Sequence, residues 1–252
     1  MKYFTAEDSI VRQVWGKSDT ILFIFAGAAA EFALNKAVDW LYFTGKLPAD
    51  PIGRLFSTVA YARQIVFAEA DAAHAAIDKI TAIHSAVETS RGARIPDWAY
   101  RDVLYMLIHY SIAAFEVLER KLTMDEKEEI FDVFRRVGLR MQLKELPVSY
   151  EQWILSRDLH MKNDLQKGAY TADLFRQYKK HLGRVRFSLL LAVQKMVVPP
   201  IVNEMLQLKR HSVTRSLLPL YKMSRVIKMD GLVKLLLLPK QYKAQIKALD
   251  KH

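Results

Sequence analysis

Apolar residues recur at three- and four-residue spacing through almost the whole chain, and no useful length alternates with period two. Such a chain has helices to pack and no strands to pair. The spacing therefore predicts an all-α fold: a single multi-helix globular domain over residues 1–252. At 51% apolar and 26% charged, the sequence lies outside the disordered regime and can bury a large core. It has no Cys, which removes disulfides, thiolate-held metals and cysteine nucleophiles from consideration. Any metal must be held by His or carboxylate.

Helix boundaries are written locally. Trp15 to about Tyr42 reads as one long, mostly apolar helix. Asp50-Pro51 is an N-cap followed by proline at the first helical position, which starts a helix running to about Phe67. A further helix covers about Asp71 to Glu88. The segment Arg91 to Asp97 is a connecting loop, and Trp98 to about Lys121 is helical again. Thr123-Met-Asp-Glu126 and Ser149-Tyr-Glu-Gln152 are capping-box patterns that begin the next two helices. Shorter helical patterns follow at 172–181, 183–195, 201–207 and 216–228, with a last one after Pro239.

The first eight residues are acidic and unlike a secretory signal. The most apolar run, Ile21 to Ala30, ends at Glu31, well short of the roughly 20 residues a bilayer span needs. A cytoplasmic location follows as the expectation, with peripheral membrane contact as the only membrane role. Residues 1–150 carry 18 Lys/Arg and 20 Asp/Glu, a net of −2, whereas residues 151–252 carry 20 and 7, a net of +13. Leucines interleave with these charges: Leu232 to Leu238 lies among Lys222, Arg225, Lys228, Lys234 and Lys240. Basic-plus-leucine suits an anionic membrane surface better than nucleic acid, where polar and aromatic residues would accompany the charge. A merely solvated basic face explains the same pattern equally well.

No GxGxxG, GxxxxGK[ST], HExxH or GxSxG occurs, so dinucleotide, P-loop, zincin and α/β-hydrolase chemistries lose their main support. Among seven histidines, His84 stands out because Ile77, Ile80, His84 and Val87 form one helical stripe. A histidine there serves either as a hydrogen-bonded core residue or as a ligand. Arg54, Thr58, Tyr61 and Ile65 form a second stripe. A guanidinium on an inward stripe needs an anion, which an internal ligand or another acidic residue would supply. His109, beside Tyr105, Met106 and Ile112, is a third inward polar group.

At these residues the chain resembles a family. Trp15-Gly to Ile21-Leu22, then Ala49-Asp-Pro-Ile-Gly-Arg54 to Thr58, then Ala82-Ile-His84-Ser-Ala-Val87 occur in an order and spacing similar to the catalytic domain of rubber oxygenases (latex-clearing proteins) and of the membrane-bound oxygenase of mycophenolic acid biosynthesis. The likeness continues through Leu107-Ile-His109, Leu122 to Glu128, Phe134 to Gly138 and Leu146 to Tyr150. It is clearest over 12–165 and looser over the basic part, 166–252. The resemblance implies an all-helical domain enclosing a haem pocket. One haem b would have His84, of the His-x-x-Val motif, as its iron ligand. Arg54 and Thr58, of the Arg-x-x-x-Thr motif, would lie beside the haem as catalytic and cofactor-binding residues, with His109 a further cofactor-binding group. Dioxygen and an apolar isoprenoid or lipid-like small molecule would be the reactants, with oxidative double-bond cleavage as the reaction. The chain departs from the family at Ser57, where rubber oxygenases have Lys, and at Asn35-Lys36, where many relatives have His-Pro. Glu31 and Asp39 correspond to the family's distal carboxylate by position only. The rival reading is a non-catalytic helical protein that binds lipid or a membrane surface.

Overall fold

The computed structural model describes residues 2–45 and 49–208 together with Pro219 and Tyr221, and the side chains at 51, 52 and 54–56 are left undescribed. Among the described residues there are ten helices and no strand. They are α1 (Ile10–Trp15), α2 (Ser18–Phe32), α3 (Val38–Phe43), α4 (Pro51–Val66), α5 (Ala70–Arg91), α6 (Asp97–Leu118), α7 (Met124–Arg140), α8 (Tyr150–Asp164), α9 (Ala169–Val197) and α10 (Pro200–Leu206). The fold is all-α and forms one domain. Of the segment 216–228, expected to be helical, only Pro219 and Tyr221 are described, and Leu232 to Leu238, expected to face a membrane, lies outside the described residues.

Most helix starts follow their local chemistry. The Asp50 carboxylate accepts from the Gly53 N–H at 2.8 Å, with Pro51 at the first helical position of α4. At α7 the capping box is complete: Thr123 Oγ1 accepts from Glu126 N (3.2 Å) and Glu126 Oε2 accepts from Thr123 N (2.9 Å). At α8 the Ser149 half is present, while Gln152 Oε1 accepts from Val148 N rather than from the cap itself. α5 ends on Gly92, whose φ of +68° is one an L side chain rarely adopts. α9 kinks at Gly183 (φ 74°), between the two patterns expected at 172–181 and 183–195.

The single helix expected from Trp15 to Tyr42 is not formed. Gly16 caps α1 through its N–H to the Arg12 carbonyl, so α2 starts afresh at Ser18. α2 then ends at Phe32 because Asn35 is claimed from a distance. Its backbone forms an isolated bridge with Leu165, its Oδ1 accepts from Ala37 N at 2.7 Å, and its Nδ2 donates to the Asp102 carboxylate. α3 begins beyond that junction. α1 itself, capped by Ser9, was not among the expected helices.

α2 forms the centre, with α6 along one side and α9 along another; α7 covers the far side of α6, and α4 pairs with α5. Trp15, Ile21, Ile24, Ile77, Tyr105, Ile108 and Tyr110 are fully buried in the main core. Trp15 Nε1 donates to Ser111 Oγ at 3.1 Å, so this buried indole keeps its hydrogen bond. α2 and α6 approach tightly at Gly27. A Cβ there would lie 2.3 Å from the Tyr110 ring and 2.9 Å from Val197. Tyr110 cannot retreat without breaking its hydroxyl bond to Glu31. Gly27→Ala should therefore cost about 1–3 kcal/mol in urea unfolding, whereas an unchanged midpoint would mean that the two helices separate freely.

Candidate functional site

The motif residues fall on helices that pack together. Arg54 and Thr58 lie one turn apart on α4, which packs against α5 and α9. Thr58 and Tyr61 are half-buried and Ile65 is buried, so this stripe turns inward as expected; the Arg54 side chain is outside the described part. On α5, Ile77 is fully buried, Ile80 packs against the main core, and His84 and Val87 are half-buried. The stripe thus rises from the core to the edge of the α5–α6 connection. There the His84 ring stands edge-on to Tyr100 at 5.1 Å. The Tyr100 hydroxyl and the Ile95 N–H both bond to Glu88 Oε1, at 3.0 and 2.9 Å, which locks the turn next to His84.

His109 lies on α6 in different company. Its ring meets that of Tyr110 at 4.9 Å, and its Nε2 is buried with no hydrogen-bond partner among the described residues. Burial first, and then the charge of Arg157, push its pKa down to about 3, against the pull of a backbone hydrogen bond with Val197. The imidazole is therefore neutral at ordinary pH.

Next to His109 is a charge cluster that the sequence reading did not identify. Glu31 of α2, fully buried, accepts a two-pronged bond from Arg157 of α8 at 2.9 and 2.6 Å. The Tyr110 hydroxyl donates to the same carboxylate at 2.7 Å. Asp102 of α6, 1% exposed, is held by Asn35. His160 lies 2.7 Å from Asp164, off the line of a hydrogen bond, and burial outweighs that carboxylate to lower its pKa. The signal for Glu31 was present: a lone acid at the end of the apolar run 21–30 cannot be buried unpaired. Nothing local named Arg157, which is 126 residues away.

Asp102 makes the cluster sensitive to pH. Burial, and then the negative charge of Glu31, push its carboxyl up to about 8, with Arg157 and Asn35 opposing and Asp164 adding to the rise. Between the ordinary 3.8 and that value, the folded protein holds a proton that the unfolded chain has lost. Stability contributed by this group therefore falls as pH rises through the window. His109 works the other way but only below its ordinary 6.5. From about pH 6.5 to 8 the decline belongs to Asp102 and should reach on the order of 1–2 kcal/mol. Asp102→Asn keeps the neutral form, so its thermal midpoint should be flat over that range. A wild-type midpoint equally flat would show that Asp102 is ionised throughout.

Among the described residues no three His, Asp or Glu side chains converge as a metal-binding group. A haem iron, however, takes as few as one imidazole from the protein. One residue present fits such a group: half-buried His84, at the end of an apolar stripe, whereas His109 lies apart from it, beside Tyr110 and Arg157. No described helix is long and apolar enough to cross a membrane.

Fold and site together define an all-α domain that carries imidazoles and a neutralised ion pair in its core. Residues 12–229 match the family described as "ER-bound oxygenase mpaB/B'/Rubber oxygenase, catalytic domain". The chain belongs to that family. Comparison with curated proteins and with solved structures returned no match.

Proposed function

We propose that this protein is a haem b-dependent oxygenase that uses dioxygen on an apolar isoprenoid or lipid-like molecule, with oxidative double-bond cleavage as the reaction. The observation that carries this reading is the family match over 12–229, combined with Thr58 and His84 on the packed pair α4 and α5. Bound haem would supply the binding and activation of dioxygen. His84 would hold the iron, and its edge-on contact with Tyr100 fixes the ring plane. Arg54, at the first turn of α4, would engage a propionate by a charge-assisted bond. Thr58, one turn on, would present a hydroxyl to the reacting molecule. His109, neutral and with its Nε2 buried, would accept a hydrogen bond there without bringing in a charge. Ile80, one turn before His84 and packed against the main core, would supply apolar surface beside it.

The basic excess of residues 151–252 supports peripheral contact with an anionic membrane, where an apolar substrate dissolves. Salt-reversible sedimentation with anionic but not zwitterionic vesicles is the expected result. Activity is tested by supplying isotopically labelled dioxygen and a polyprenyl substrate to the haem-loaded chain. Label in carbonyl products supports the reading. A haem-loaded protein that consumes no oxygen with any isoprenoid or lipid contradicts it, and leaves the lipid-binding role.

A further inference from the structure

On the helices α2, α6, α8 and α9 the core contains polar atoms with no hydrogen-bond partner among the described residues. Gln194 of α9 is fully buried, and both its Oε1 and Nε2 lack a partner among the described residues. So do Arg157 Nε, in a side chain 3% exposed, and His109 Nε2. These groups belong to one neighbourhood. Arg157 is close enough for its charge to bear on His109, and His109 bonds to the backbone of Val197. Gln194 sits one helical turn before Val197 on α9, and Val197 and the Tyr110 ring both approach Gly27. A buried polar group left without a hydrogen-bond partner is destabilising, so several together point to an occupant.

The orphaned atoms specify that occupant. A neutral imidazole has one N–H, and with it directed at the Val197 carbonyl, Nε2 offers a lone pair. Gln194 Oε1 is a second acceptor. Arg157 Nε–H and the Gln194 amide are donors. A group complementary to both kinds gives and receives a hydrogen bond at the same atom, as a hydroxyl does. Net charge is excluded from the preference because Arg157 is already matched by the two bonds to Glu31.

We infer that Gln194, His109 and Arg157 form a buried recognition site for the hydroxyl group of an otherwise apolar substrate, so that the preferred substrate is an isoprenoid alcohol rather than a hydrocarbon. This rests on the apolar-substrate reading above and assigns the polar end of that substrate.

Farnesol and farnesene, an alcohol and a hydrocarbon of similar shape, separate the possibilities. Binding of each to the full chain, with and without haem, is followed by tryptophan fluorescence. Farnesol should bind about tenfold or more tightly than farnesene, the equivalent of one well-made hydrogen bond and its avoided penalty. Gln194→Leu should remove most of that preference by weakening farnesol binding alone; Gln194→Met repeats the test with an unbranched side chain. Equal affinities in the parent protein, or a preference kept in both variants, would overturn the inference and assign the site to water. A protein that takes up no haem but prefers farnesol would sink the oxygenase reading and leave the hydroxyl site standing. The reverse result sinks the site alone.

Discussion

Arg157→Met should lower stability by about 3–5 kcal/mol, because it leaves the Glu31 carboxylate buried with no opposite charge. Glu31 is fully buried and Arg157 nearly so, and the two are joined by bonds of 2.9 and 2.6 Å. Among the described residues, only the Tyr110 hydroxyl would remain on the carboxylate. The pair ties α2 to α8, elements with few other direct ties, so its loss also loosens α8. The double variant Glu31→Leu/Arg157→Met removes both charges and should recover much of the loss, a coupling of several kcal/mol between sites in direct contact. Urea unfolding of the four proteins in the cycle measures it. Additive losses would mean that the two side chains are solvated separately.

His84→Ala should reduce haem occupancy severely, and His74→Ala and His160→Ala should leave the spectrum of the loaded protein unchanged. The contrast follows from position. His74 stands edge-on to Phe4 and His160 is placed beside Asp164, whereas His84 ends the Ile77–Ile80 stripe of α5, the helix that packs on α4. Its fold cost should be small, since the ring is half-buried and the Glu88 bonds to Tyr100 and Ile95 that close the turn do not involve it. Occupancy is read as the ratio of Soret to protein absorbance, and folding by circular dichroism. A variant that keeps all its haem would leave His84 a core histidine.

Local chemistry made much of the fold legible. Asp50-Pro51, Thr123 with Glu126, and Ser149 mark helix starts because caps act within four residues, and Gly183 marks a break for the same reason. What ended α2 was not legible, because Asn35 answers to Asp102 and Leu165, 67 and 130 residues away. For the site, periodicity placed Thr58, His84 and His109 on inward or half-inward faces. It could not pair Glu31 with Arg157, since a lone buried charge announces that it needs a partner without saying which. Gln194 lies in a largely apolar stretch of the sequence, with no local signal that its amide is buried. Its burial on α9 depends on how that helix crosses α2 and α6, which no spacing encodes.

Whether this chain holds haem through His84 is decided by titrating hemin into the 252-residue chain and into His84→Ala and recording the spectra. The parent protein should bind one equivalent, with a Soret band shifted from that of free hemin, and the variant little or none. A parent protein that stays colourless, or a variant whose stoichiometry and Soret band match the parent's, would contradict this expectation.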